Sequence, residues 1–184
     1  MSIFIGLLAL LYPLIAYLGL TVGSPSIVAG GLIIVVLLRL KFGKSTLFNK
    51  NQTKLFALSM LIVLGYSLLT DTSDGIRFYP VAMSLLFLFI FAQSLWSKQS
   101  LIERIARITE PNLPASAVSY TRKVTLVWCM FFFINAGIAA YTALFSSMEI
   151  WTFYNGLLSY CIMGLIGAIE WLVRKRYKYK PVTQ

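Results

Sequence analysis

Histidine is absent from all 184 residues, and the carboxylates number six: Asp71, Asp74, Glu103, Glu110, Glu149 and Glu170. The commonest general base and metal ligand is therefore missing. A Ser-His-Asp or Cys-His nucleophile is impossible, and no two acids share a helix at a spacing that converges their side chains. Neither a catalytic residue nor a metal site nor a cofactor is expected. Cys129 and Cys161 fall in apolar runs without ligand spacing and read as small hydrophobes. What remains is a handful of polar groups inside long apolar stretches: Gln93, Asn135, Asn155 and Glu170. Glu170 is the sharpest of them, since an ionisable group within a membrane is a functional candidate by default. It could face a crevice and meet a headgroup or a proton. It also stands four residues before Arg174, where an i,i+4 pair is the structural alternative. Asn135 and Asn155 could line a ligand path, or form interhelical hydrogen bonds worth about 0.6–2 kcal/mol.

The elements that must carry these residues are apolar helices. With 59% apolar, 15% aromatic and 12% charged residues, the chain is far from a soluble average. Six runs stand out: Ile3–Leu20, Ser26–Leu40, Leu55–Thr70, Phe78–Trp96, Val124–Phe145 and Trp151–Val173. Spans of about 20 residues at 1.5 Å rise use most of the chain. The fold class is thus all-α: a polytopic helical membrane protein, a single domain over residues 1–184, with six transmembrane helices. Ile3–Leu20 carries no charge and reads as a retained span rather than a cleaved signal. Residues 1–40 fit either two full spans or a re-entrant hairpin.

Charge supplies the direction. Of the 16 Lys and Arg residues, all but Arg77 fall in the second and fourth links and the tail, the side on which cytoplasmic loops gather their cations. Both termini are therefore read as cytoplasmic. A net charge of +10 follows from this rule and from attraction to anionic lipid, without nucleic acid. Four tryptophans near run ends, Trp96, Trp128, Trp151 and Trp171, read as an interfacial belt.

Between the fourth and fifth spans lies the most structured link. Ser100-Leu101-Ile102-Glu103 fits a capping box. Leu101, Ile102, Ile105 and Ile108 recur at helical spacing, with Glu103, Arg104 and Arg107 on the other face. An amphipathic helix over about residues 100–110, lying at the cytoplasmic interface, is expected. Pro80 is placed near the first turn of the fourth span. Ala136 and Ala140, like Gly164 and Ala168, have small-xxx-small spacing, which predicts a hairpin of spans five and six closed around them.

The C-terminal half carries a likeness. Ser100–Arg107 (SLIERIAR), Leu113-Pro114, Tyr120–Thr125 (YTRKVT), Trp128–Phe132 (WCMFF) with Asn135, Trp151–Gly156 (WTFYNG), Tyr160, Met163-Gly164 and Glu170–Arg174 (EWLVR) form one set. Over roughly residues 98–176 the chain resembles a family of small bacterial inner-membrane proteins encoded beside acyl carrier proteins, acyltransferases and ketosynthases of aryl-polyene-type lipid clusters. More distantly it is similar to the intracellular septation protein A family, from which Tyr154-Asn155-Gly156 departs. The resemblance implies a bacterial inner membrane and an envelope-lipid setting, and brings no catalytic residue.

The function expected from this reading is a non-catalytic accessory or scaffold protein of an envelope-lipid or polyene-lipid pathway. Its basic face, Arg104, Arg107, Arg122, Lys123, Arg174, Lys175 and Arg176, would dock anionic membrane lipid or acidic partners such as an acyl carrier protein or a membrane-associated acyltransferase. The alternative is a small lipid or hydrophobic-metabolite transporter or flippase component, a homo-oligomer or a monomer, with a path along Glu170, Gln93, Asn135 and Asn155.

Overall fold

The computed structural model describes residues 19, 23–42 and 50–178, and among them all regular structure is helical. Helix α1 runs Pro25–Phe42, α2 Lys50–Thr70, α3 Asp74–Leu95, α4 Leu101–Thr109 and α5 Ala115–Phe145. Helix α6, Met148–Phe153, passes through a π-helical turn, Tyr154–Leu158, into α7, Ser159–Lys178. Four stretches are long and apolar enough to cross a membrane: Asn51–Thr70, Asp74–Leu95, Ala115–Phe145 and Met148–Lys175. The chain is thus a helical protein with four candidate spans, where the hydropathy pattern predicts six. The expected first span lies outside the described residues except for Gly19. The expected second is α1, whose apolar stretch Pro25–Leu38 is shorter than a full crossing.

Polar side chains set where these helices begin. Pro25 opens α1, at the position where a missing N–H costs least. The next residue, Ser26, donates both its backbone N–H (3.1 Å) and its hydroxyl to Oδ1 of Asp71. A carboxylate from the α2–α3 turn therefore caps the positive end of α1. Asp71 itself has φ 51°, the left-handed region that Asp tolerates better than most residues. Helix α3 then starts at Asp74, earlier than hydropathy indicated, because Ser67 Oγ accepts from Ile76 N at 3.0 Å and draws the first turn of α3 onto α2. At Gly75 a Cβ would lie 2.1 Å from the carbonyl oxygen of Val63, so the close approach of α2 and α3 requires glycine there. The early start leaves Pro80 inside α3 rather than at its first turn.

The core has two parts. Ala29, Met60, Leu64, Ile76, Tyr79, Ala143 and Trp151 tie α1, α2 and α3 to the far end of α5 and to α6. Leu86, Ile90, Phe91, Leu101, Phe131 and Phe132 join α3, α4 and α5, with Ile162, Met163 and Ile166 of α7 against them. Aromatic stacking dominates this second part: Phe87 and Phe91 each lie 5.2 Å from Phe132, and Trp128 meets Phe131 edge-on at 5.9 Å.

Three sequence expectations are corrected here. Trp151 is no belt residue: it is 0% exposed and its Nε1 donates to the Arg77 carbonyl at 3.0 Å, whereas Trp96 and Trp171 are exposed. The predicted hairpin around small residues is also absent. The main partner of α5 is α3, and Ala136, Ala139 and Ala143 lie on its buried side. Gly164 and Ala168 are exposed instead, and nothing lies within 4 Å of a Cβ built at Gly164. Finally, α4 turns Leu101, Glu103 and Ala106 inward while Ile105 and Ile108 are exposed. Glu103 can be buried because Arg107 neutralises it at 2.8 Å.

Candidate functional site

Two polar groupings form along α5. The first lies where α3, α5 and the π turn meet. Asn135 Nδ2 donates to Ser84 Oγ at 2.9 Å, and Asn135 Oδ1 accepts from Tyr154 OH at 3.0 Å. One amide thus joins three elements through both of its ends. Asn155 Nδ2 donates to the Trp151 carbonyl (2.9 Å) and to Thr142 Oγ1 (3.1 Å). Asn155 lies within the π turn, in which the Ser159 N–H reaches back to the Tyr154 carbonyl. Asn155 Oδ1, Thr152 Oγ1 and Arg77 Nε are buried without a partner among the described residues.

Arg77 completes this end. Its Nη2 donates to the carbonyls of Thr142 at 3.0 Å and Ser146 at 2.5 Å, which are end-of-helix acceptors of α5. In the turn beside it, the two Ser26 hydrogen bonds hold the Asp71 carboxyl below its ordinary value.

The second grouping sits at the opposite end of α5, between its first turns and the last turns of α7. A crevice of about 670 Å³ is lined there by Ser116, Ser119, Tyr120, Lys123, Val124 and Val127 from α5 and by Ile166, Ile169, Glu170 and Val173 from α7. Tyr120 OH reaches the Glu170 carbonyl at 3.5 Å across it. Glu170 pairs with Arg174 through Nε at 3.4 Å, the i,i+4 contact that their spacing indicates. A smaller cavity of about 130 Å³ shares Ser116 and Tyr120 with the crevice and extends to Ala106, Glu110 and Arg174. Three helices, α4, α5 and α7, therefore meet at this end.

The cations proposed from sequence gather here but are not equivalent. Arg104 donates to the Gln99 carbonyl (3.2 Å) and Ser97 Oγ (3.0 Å), and Arg107 holds Glu103 and the Pro111 carbonyl (2.8 Å). Both guanidinium groups are tied to the link itself. Lys175 lies 5.3 Å from the Trp171 ring centroid. Arg122 and Lys123 are exposed, and Lys123 faces the crevice. The side chain of Arg176 lies outside the described residues.

The four path candidates do not share one space. Gln93 is exposed on α3, Asn135 and Asn155 belong to the first grouping, and Glu170 belongs to the crevice. Glu170 follows Asn155 by 15 residues, about 22 Å along a helix axis. Sequence reasoning missed Ser84, 51 positions from Asn135, because no local spacing reveals such a contact. It also read Arg77 only as the exception to a charge rule, because the carbonyls it meets lie 65 and 69 positions away. No family model, no curated protein and no solved structure matches the chain.

Proposed function

We propose that this is a six-span bacterial inner-membrane protein with both termini cytoplasmic, acting as a non-catalytic accessory or scaffold of an envelope-lipid or polyene-lipid pathway. Its basic end docks acidic partners, an acyl carrier protein or a membrane-associated acyltransferase, beside anionic lipid. The observation that carries this reading is the convergence of cations from α4, the start of α5 and the end of α7 on one end of the molecule. Helix α4, with Ile105 and Ile108 exposed, is the element that would lie at the interface. Because Arg104 and Arg107 are spent on local bonds, the exposed Arg122 and Lys175 are the groups to test. Charge reversal at both is expected to lower recovery of purified acyl carrier protein on membranes several-fold, with recovery rising again at low salt. Undiminished recovery would remove the docking role.

The transport reading draws on one specific observation, the three buried polar atoms without partners around Asn155. If they mark a polar path, the purified protein in vesicles will move a fluorescent phospholipid between leaflets. A rate equal to that of protein-free vesicles would exclude it.

A further inference from the structure

The crevice between α5 and α7 has a graded lining. Along α5 it passes from Ser116 and Ser119 through Tyr120 and Lys123 to Val124 and Val127, and on α7 its wall is Ile166, Ile169 and Val173 around Glu170. At about 670 Å³ it has the size of a small-ligand site. Both walls belong to candidate spans, so in a membrane the apolar part of the crevice would open toward lipid.

Depth follows from helix length. Helix α5 has 31 residues, about 46 Å at 1.5 Å per residue, against a hydrocarbon core of about 30 Å. Some 16 Å of it, roughly ten residues, must stand outside the hydrocarbon unless the helix tilts steeply. The polar segment Ala115–Lys123, ending at Arg122 and Lys123, is the part suited to headgroups. Lys123 then lies at the boundary, while Val124, Val127, Ile166 and Ile169 line the crevice on its apolar side.

Charge selects the occupant. Among the described residues, Glu170 is the one acid of the crevice and already has Arg174 at 3.4 Å, which leaves the Lys123 ammonium as the uncompensated charge of the described lining. The first turn of α5 adds amides that no side chain caps, beside Ser116. An anion is favoured at this level, and an apolar chain below it.

We propose that this crevice binds one anionic phospholipid, with its phosphate at Lys123 and the first turns of α5 and an acyl chain between Val124, Val127, Ile166 and Ile169. The proposal rests on the reading of the basic end as a membrane-facing working surface, and supplies it with a defined lipid site. It also explains why α7 stands off from the bundle here, with Ile169 half-exposed and Val127 equally open.

The test is native mass spectrometry of the full chain, delipidated in mild detergent and titrated with phosphatidylglycerol or phosphatidylcholine. The expected result is a single phosphatidylglycerol adduct, favoured over phosphatidylcholine, and weakened about fivefold by Lys123→Ala, in keeping with about 1 kcal/mol per interfacial cation. Val127→Trp and Ile169→Trp fill the crevice from opposite walls at exposed positions, and each should abolish the adduct while helicity and monodispersity are kept. An adduct that survives both tryptophans in folded protein, or that does not distinguish the two lipids, overturns the proposal. Arg122→Glu separates the two readings: it should leave the adduct intact while lowering acyl carrier protein recovery. Loss of the partner alone would spare the lipid site, and loss of the lipid alone would spare the docking surface.

Discussion

The guanidinium of Arg77 closes the far end of α5 by donating to the carbonyl of Ser146 at 2.5 Å, and at 3.0 Å to that of Thr142 one turn earlier. Those carbonyls belong to the last turn and C-cap of a 31-residue helix, where the macrodipole is negative and intrahelical donors run out. The Arg77 carbonyl in turn accepts from Trp151, so α3, α5 and α6 are locked together at this one residue. Arg77→Leu should therefore cost about 2 kcal/mol, by loss of charge-assisted hydrogen bonds to the Ser146 carbonyl and to the Thr142 carbonyl, which the Ser146 N–H also reaches at 3.3 Å. A thermal-unfolding series in detergent measures it; a change within about 0.5 kcal/mol would mean that the contact is incidental.

Gly75 is a close backbone contact of α3 with α2. Gly75→Ala would push a methyl toward the Val63 carbonyl and Ser67 Oγ, separating the helices and stretching the Ser67–Ile76 hydrogen bond. A destabilisation of about 1–3 kcal/mol is expected. Gly164→Ala provides the contrast, since open space surrounds that position and a neutral or slightly stabilising effect should follow.

Asp71 gives the fold a pH dependence with a defined sign. Its carboxyl is held below the ordinary value, first by the Ser26 hydroxyl and then by the Ser26 backbone N–H. The folded state therefore binds this proton less readily than the unfolded state, so the contribution is full above the usual carboxylate range and is lost as pH falls through the lowered value. Acid titration of thermal stability should show this loss in the native chain and a flatter profile in Asp71→Asn, which keeps an acceptor and tolerates the φ of 51°. An identical acid profile in the variant would contradict the cap.

The Ser84–Asn135–Tyr154 chain should behave as packing rather than as a path. Tyr154→Phe removes one buried hydrogen bond and is expected to cost about 0.6–1.7 kcal/mol, the range of such bonds between membrane helices. Asn135→Leu removes two and should cost more, whereas exposed Gln93→Leu should leave stability unchanged. Equal effects at all three positions would contradict the geometry.

Topology can be checked at two exposed serines at opposite ends of α5. In a background lacking Cys129 and Cys161, single cysteines at Ser116 and Ser147 should react with an impermeant thiol reagent from opposite sides. Labelling of both from one side would refute the crossing by α5.

Apolar runs and charges made most of the helical outline legible, since a bilayer forces backbone groups to pair within each segment. The Ser100 cap of α4 and the Glu170–Arg174 pair were equally legible, because both are local spacings. The rest depends on contacts distant in sequence. Nothing near Trp151 marks it as buried, because its burial comes from Arg77, 74 positions away. Small-residue spacing indicated where helices could approach closely but not which partner would arrive, so Ala136 proved buried and Gly164 open. The crevice was invisible for the same reason: it exists only because the ends of α5 and α7 are set side by side.

The gathering of cations at one end also makes the molecule an electrical object. At the other end Arg77 is committed to carbonyls and Asp71 to the start of α1, while Asp74 and Glu149 are exposed acids. The described cations of the basic end are carried by α4, α5 and α7. Each elementary charge carried across 100 mV changes the energy by about 2.3 kcal/mol. A membrane potential negative on the basic side therefore acts on the whole protein as a restoring force, and turning it over would require electrical work well beyond the stability of a typical fold.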